Sequence, residues 1–481
     1  MRLLDIWKSI FGESAQTRDE TSEPAEEGQS VPSESSVEPR GSKERRYLTI
    51  GLDWGTSCSK VVIRDPYGPE NPAYLTDFGD RAADVSPYLL PSSFSIDAEG
   101  QMQLAKTDDP VTVSNLKVHL IEHSGEPITK ASRARPEELA AMYIGEVLQY
   151  SRNWFWREYG DRYRQYDPVW EFNLGIPAAS HDDEEVNSLF EKIARVGWWL
   201  SQRESPTISE AEKGFQKLER GKFDAGIHED LVGVVPEVAA QVVGYARSSL
   251  RRKGLHVLVD IGASTLDLAG FILTENEGDD RYSILEAGVY PSGAFQLERQ
   301  RLPEIKKLGR QIFDFDSREE WAEEMARRAR DPMREVPSIR GYFPETVRED
   351  IRWSEIKHIA EEFIEDCFRT IRTLVADLRK DRAPNNPMWS TGLPIFVAGG
   401  GKDIEVYLKG LRRVDHWRDK RLKVEPFDIR DLPSLEDLQV HNLDDEMEHR
   451  FSVAYGLSYP ADDIGEIKPP HEIPDLDLEE E

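Results

Sequence analysis

The chain has 481 residues, 38% hydrophobic and 9% aromatic, enough for more than one compact unit with its own core. Its net charge of −30 argues against nucleic-acid binding as a main task, because phosphate backbones are met with stripes of Lys and Arg. Two cysteines, Cys58 and Cys367, exclude a disulfide framework and a zinc site. No apolar run approaches the roughly 20 residues of a membrane span and no signal-peptide core is present, so a cytoplasmic protein is expected.

Residues 1–11 place Leu3, Leu4, Trp7, Ile10 and Phe11 on one helical face. Such a helix suits a partner groove or a membrane surface, and a chance pattern at a terminus explains it equally well. Residues 12–46, rich in Ser, Glu, Pro and Gly, bury too little to offset ordering entropy and are expected to form a disordered linker. From Tyr47 a strand, YLTIGLDW, runs through a Gly-Thr-Ser turn into a second strand, KVVIRD. Helices are predicted over 136–154, opened by Pro-Glu-Glu, and over 182–200, with Val186, Leu189, Ile193 and Val196 on one face. Residues 201–230 form a charged insert without a strong strand, either a partner surface or a solvated loop extension.

A strand–turn–strand returns at HVLVDIGASTLDLAGFIL, a long helix is predicted over 353–381, and LPIFVAGGGKDIEVYLKGL reads as strand, glycine turn and helix. After Pro460 the chain is acidic and Pro-rich, and residues 463–481 are expected to be a disordered tail. The strand–loop–strand design recurs at Ile50 and at Val259, which points to two lobes of related construction, residues 47–253 and 254–447, with 448–462 returning to the first. The histidines, His256 among them, are scattered and are assigned no chemistry.

Three segments carry chemistry. In Asp53-Trp54-Gly55-Thr56-Ser57 a strand ends in an acid and turns back through a glycine and two hydroxyls. Such a tip offers N–H groups and hydroxyls to phosphate, while the carboxylate can hold Mg²⁺ directly or through water; an ordinary Asp-x-Gly hairpin reads the same way. Asp260-Ile261-Gly262-Ala263-Ser264-Thr265-Leu266-Asp267 repeats that grammar, an acid, small residues and a hydroxyl between two apolar strands. Two such tips facing each other would clamp a polyphosphate and its metal, and phosphoryl transfer needs mostly this positioning. The third segment, Ile395 to Ala398 followed by Gly399, Gly400 and Gly401, lets backbone approach a flat ligand or phosphate. It matches neither the Rossmann spacing nor a Walker A loop.

In this order the segments resemble the phosphate-1, phosphate-2 and adenosine motifs of the actin, sugar-kinase and heat-shock-protein-70 superfamily. Val235-Pro236-Glu237-Val238-Ala239-Ala240 and Phe451-Ser452-Val453-Ala454-Tyr455-Gly456-Leu457 resemble its two connecting helices, and the likeness spans residues 47–460. Within the superfamily, YLLPSSF at 88–94, Asn115-Leu116-Lys117 and Asn173-Leu174-Gly175-Ile176-Pro177-Ala178 resemble the nucleotide-binding domain of the 70-kDa heat-shock chaperones.

The resemblance implies an α/β, two-lobed actin-like ATPase fold of duplicated ribonuclease-H-like lobes, with ATP or ADP and Mg²⁺ in the cleft. It gives Asp53 and Asp260 the metal, Thr56, Ser57 and Thr265 the phosphates, Lys117 the γ-phosphate, and Gly399 to Gly401 the adenosine. Departures stand beside it. Ala263 and Ser264 replace two glycines, and Lys402 replaces a small hydroxyl residue. Val235 stands where the family has its catalytic Glu, leaving Glu237 two residues later as the candidate. After Pro460 too little chain follows for a substrate-binding domain. The expected function is therefore an ATP-binding, ATP-hydrolysing chaperone-like switch acting by lobe motion on a partner protein. A filament-forming actin-like ATPase and a non-hydrolysing nucleotide-bound adaptor are the alternatives; no sugar-binding segment supports a sugar kinase.

Overall fold

The run of apolar residues after Tyr47 becomes the buried part of strand Glu44–Trp54, in which Leu48 to Trp54 are all buried, as a strand covered on both faces requires. The structure is a computed structural model that describes residues 43–473 except 98, 105–112, 114–115, 122–133, 178–182, 227, 277, 314, 330–332, 352 and 354–356. Residues 1–42, Asn115, Ala178 and the segment 474–481 therefore lie outside the described residues, and with them the N-terminal amphipathic helix and linker.

The fold is mixed α/β, built on two principal sheets. In the first, the strand order is Leu438–Gln439, Ala73–Leu75, Cys58–Arg64, Glu44–Trp54, Tyr166–Ile176 and Val232–Pro236, with Leu90–Pro91 also pairing Cys58–Arg64. In the second it is Asp428–Asp431, Pro394–Ala398, Gly254–Ile261, Leu266–Asn276, Asp279–Tyr290 and Glu466–Lys468. Both share one design. An antiparallel hairpin sits at the centre, and its first strand is flanked on the other side by a parallel strand, Tyr166–Ile176 in one sheet and Pro394–Ala398 in the other.

Apolar helix faces cover the sheets. Helices Pro136–Tyr163, Glu184–Leu200 and Ile208–Glu219 supply Leu139, Ile144, Phe190, Ile193 and Phe215 to the core of the first sheet. Helices Ala294–Ile312, Lys357–Asp377 and Glu405–Arg421 supply Leu297, Ile364, Cys367, Leu411 and Val414 to that of the second. Helices Glu237–Ala246 and Ser452–Leu457 cross each other so closely that a Cβ on Gly456 would lie 1.8 Å from the Ala240 carbonyl oxygen. The small residues read from the sequence at this crossing are there because backbone meets backbone.

Several expectations change. The first strand begins at Glu44, three residues before Tyr47, because its polar start pairs with Tyr166–Ile176. The long helix continues to Tyr163, since Phe155 and Tyr163 remain buried beyond Trp154. Insert 201–230 is no mere loop: Thr207 opens helix Ile208–Glu219 with a capping box, and Ala211 and Phe215 enter the core. Residues 466–468, expected in a disordered tail, add a strand parallel to Asp279–Tyr290. Leu438–Gln439, expected with the second lobe, pairs in the first sheet. Among the described residues no helix is long and apolar enough to cross a membrane.

Candidate functional site

In open α/β sheets ligands collect at the carboxyl ends of parallel strands, where the connections splay apart. Here Glu44–Trp54, Tyr166–Ile176 and Val232–Pro236 are parallel and end in Asp53, Pro177 and Glu237, all of which line one cavity of about 1150 Å³. From the second sheet, Gly254–Ile261 and Pro394–Ala398 deliver Asp260 and Gly399 to the same cavity. Gly55, Thr56 and Ser57 of one hairpin tip and Gly262, Ala263 and Thr265 of the other line it too, as does Lys117. Ser264 and Gly401 do not. Gly401 packs on Ile261, donating its N–H to the Ile261 carbonyl at 3.0 Å, so its part is to set the turn.

Hairpin register decides which side chains meet. Lys60 stands opposite Asp53 and its ammonium reaches the carboxylate at 2.7 Å. Burial alone would favour neutral Lys60, but the Asp53 charge outweighs it and raises the lysine above its ordinary pKa. At the matching place in the second hairpin Asp267 stands opposite Asp260, so two acids face each other. Burial pushes Asp260 up to about 6, with Glu237 and Asp53 adding to the rise and Lys60 and Gln241 opposing it. Burial, then the Asp260 charge, also drives Asp267 well above the carboxylate range, and its Oδ1 is buried without a hydrogen-bond partner.

Helix Glu237–Ala246 adds two groups on one face, four residues apart. Glu237 accepts from Lys117 at 2.5 Å, and Gln241 donates to Asp260 Oδ2 at 3.0 Å. The first residue of one helix and the second of Leu116–Ile121 thus share an ion pair in the cavity wall. Arg450 also lines the cavity, its Nε 3.4 Å from where a Cβ on Gly400 would lie.

The tips are held from behind. Tyr143 donates to Ser59, Ser59 contacts Ser92 at 3.2 Å, and Ser92 donates to the Gly55 carbonyl at 2.6 Å. The carbonyls of Gly262, Ala263 and Ser264 accept from Ala294, Phe295 and Gly293, so the start of helix Ala294–Ile312 latches the second loop. Neither Ala263 nor Ser264 has a positive φ, so the turn itself requires no glycine at either position. Gly399 sits at φ +81°, and a Cβ there would lie 2.1 Å from Asp260 Oδ1, so only glycine leaves that carboxylate in place. Lys402 faces away, paired with Asp403 and Asp431.

Asp53 and Asp260 are the residues that could hold a divalent cation here, with the N–H groups and hydroxyls of the two tips for an anion. Acids Asp53, Asp260, Asp267 and Glu237 meet cations Lys60, Lys117 and Arg450, and the orphaned Asp267 oxygen lacks a donor or cation. No cluster of three or more His, Cys, Asp and Glu able to hold a metal occurs among the described residues. Mg²⁺ needs no such cage, since it keeps waters and takes one or two carboxylates plus substrate phosphate oxygens. Lys60, Gln241 and Arg450 are not singled out in the sequence, and Asp267, which closes the second motif there, is given no role. The places of Lys60 and Asp267 follow from turn length: four-residue connections, 55–58 and 262–265, pair 53 with 60 and 260 with 267. No protein-family model matches the chain, and no curated protein matches it in sequence.

Proposed function

We propose that this chain has the two-lobed, actin-like ATPase architecture and binds ATP with Mg²⁺ between the lobes. In this reading each sheet with its covering helices is a lobe, and the crossed helices Glu237–Ala246 and Ser452–Leu457 form the hinge on which they rotate. The observation that carries the proposal is that the two acid-tipped hairpins, one from each sheet, face a single cavity large enough for a nucleotide.

Asp260, positioned by Gln241, and Asp53, balanced by Lys60, are the groups that would take the metal with its waters. Thr56, Ser57 and Thr265 would donate to phosphate oxygens, and Gly399 and Gly400 would back the nucleoside. When bound, the metal supplies charge neutralisation across the phosphates. Glu237 opens a helix at the cavity beside Gln241 and Asp260, placed to orient water, and Lys117 holds it by the ion pair. The output is lobe closure sensed by a partner protein, the behaviour of a chaperone-like switch.

The Lys117–Glu237 pair also favours a second reading, a nucleotide-bound adaptor that hydrolyses slowly or not at all. Glu237 Oε1, engaged by an ammonium 2.5 Å away, is not free to orient a water. Calorimetric titration of the full chain with ATP and ADP, with and without Mg²⁺, joined to a phosphate-release assay, separates the cases. Mg²⁺-dependent binding with release supports the switch, and binding without release supports the adaptor. If neither nucleotide binds, the proposal fails.

A further inference from the structure

In a chain of net charge −30, helix Glu405–Arg421 is markedly basic, with Lys409, Arg412, Arg413, Arg418, Lys420 and Arg421 against Glu405, Asp415 and Asp419. Some of these cations are committed. Lys409 pairs with Glu405, Arg413 with Glu361 and Arg418 with Asp415. Arg412, Lys420 and Arg421 have no ion-pair partner among the described residues, and they border a groove of about 450 Å³ floored by half-buried Phe368 and Trp417. From helix Lys357–Asp377, Arg372 lies over the Phe368 ring at 5.5 Å from its centroid. An aromatic floor ringed by cations suits an acidic segment that also carries apolar side chains. Long polyanions such as nucleic acid are repelled by the charge of the whole molecule, whereas a short acidic segment need satisfy only this patch.

We propose that the occupant is the chain's own C-terminal segment, residues 474–481, Pro-Asp-Leu-Asp-Leu-Glu-Glu-Glu. In an extended segment Leu476 and Leu478 share one side, so both can meet the Phe368–Trp417 floor. Asp475, Asp477 and Glu479 alternate with them, and Glu480 and Glu481 follow, supplying the charge that Arg412, Lys420 and Arg421 lack.

Ile473 packs against the same side-chain cluster as Phe368 and Trp417. A short chain of contacts links the two places: Arg382 donates to the Pro470 carbonyl at 3.3 Å, and the Trp389 indole donates to the neighbouring Ala383 carbonyl at 2.7 Å. Glu425 then donates its N–H to the Trp389 carbonyl at 3.1 Å, and Arg418 of the basic helix reaches the Val424 carbonyl at 2.5 Å. Eight extended residues span roughly 26 Å. Tethering supplies an effective concentration on the order of millimolar, so even a weak contact closes.

Hydrogen exchange of the full chain tests this, in wild type, in a tail-neutralised variant (Asp475→Asn, Asp477→Asn, Glu479→Gln, Glu480→Gln, Glu481→Gln) and in a groove-reversed variant (Arg412→Glu, Lys420→Glu, Arg421→Glu). All changes are at surface or terminal positions, and circular dichroism verifies the fold. Amides of the last turns of helix Glu405–Arg421 are expected to exchange about fivefold faster in each variant than in wild type, and raising NaCl from about 50 to about 500 mM should erase the difference. Joining the groove-reversed variant to a tail carrying Lys at 475, 477 and 479 should restore protection. Equal exchange in wild type and the tail-neutralised chain overturns the proposal. So does protection that appears only on adding anionic vesicles or an acidic protein, since the groove would then belong to an outside partner.

Discussion

Lys117 donates to Glu237 across 2.5 Å, joining a short helix beside the first sheet to the opening residue of the helix that crosses Ser452–Leu457. Both groups line the cavity where the acid-tipped hairpins meet. Removing either partner leaves the other charge unpaired in a partly buried wall. Glu237→Gln is expected to lower phosphate release by about 100-fold while nucleotide affinity changes by less than about tenfold, because a water-orienting group acts in the chemical step. Single-turnover release beside calorimetric affinity checks this. Equal losses in both would make Glu237 a binding residue only.

Gly399→Ala should harm the site more than the fold. The substitution meets strain twice, from φ +81° and from a Cβ 2.1 Å from Asp260 Oδ1. A cost of about 1–3 kcal/mol in stability is expected. Displacing Asp260 should weaken Mg²⁺-dependent nucleotide binding by tenfold or more, about 1.4 kcal/mol. Thermal melts with and without nucleotide measure both effects.

At the helix crossing, Gly456→Ala is expected to destabilise the chain by about 1–3 kcal/mol, since its Cβ would fall 1.8 Å from the Ala240 carbonyl and the helices must part. Parting them also shifts Gln241 and Glu237, so nucleotide affinity should fall with stability. Chemical denaturation at fixed pH is the check. An unchanged midpoint would show that the crossing is looser than described.

His256 gives a pH dependence with a definite sign. It stacks between Phe271 and Phe396, and burial pushes it down to about 4. The unfolded chain therefore takes up a proton near the ordinary histidine pKa that the folded chain refuses. The associated stability is fully present above about pH 6.5 and falls by roughly 3 kcal/mol as pH drops toward 4. Asp260 and Asp267, raised by burial, act in the opposite direction, because the folded state binds their protons more tightly. His256→Gln separates the contributions. Between pH 7.5 and 4.5 the variant should lose about 3 kcal/mol less than wild type. An equal loss would refute the assignment.

The site was legible where chemistry follows the chain and hidden where it depends on what lies across it. Asp53, Asp260 and Gly399 stand out because acids and glycines at strand ends announce a turn, and all three line the cavity. Lys60 and Asp267 needed hairpin register, which the turn lengths supply. Gln241 and Arg450 gave no signal. One matters because a helix brings it to Asp260, the other because residues 399–401 turn beside it, and neither contact leaves a local pattern.

The same limit shaped the fold. Charged residues in 201–230 and 463–473 suggested loop and tail, yet Ala211 and Phe215 anchor a helix, and three residues from 466 complete a sheet edge. Buried Arg64 is of this kind as well. It is held by Asp437 and Ser458 and lies over the rings of Tyr455 and Tyr459, partners nearly four hundred positions away in the chain. Propensity and periodicity describe neighbours, while these elements are fixed by distant ones.

The most direct measurement is a crystal structure of the full chain grown with a non-hydrolysable ATP analogue and Mn²⁺ in place of Mg²⁺, with the metal located by its anomalous signal. The expected result places the manganese within about 5 Å of the carboxylates of both Asp53 and Asp260, directly or through one water, with phosphate oxygens on both hairpin tips. Analogue and metal bound elsewhere, or the cavity between Asp53 and Asp260 holding neither at saturating concentration, would contradict it.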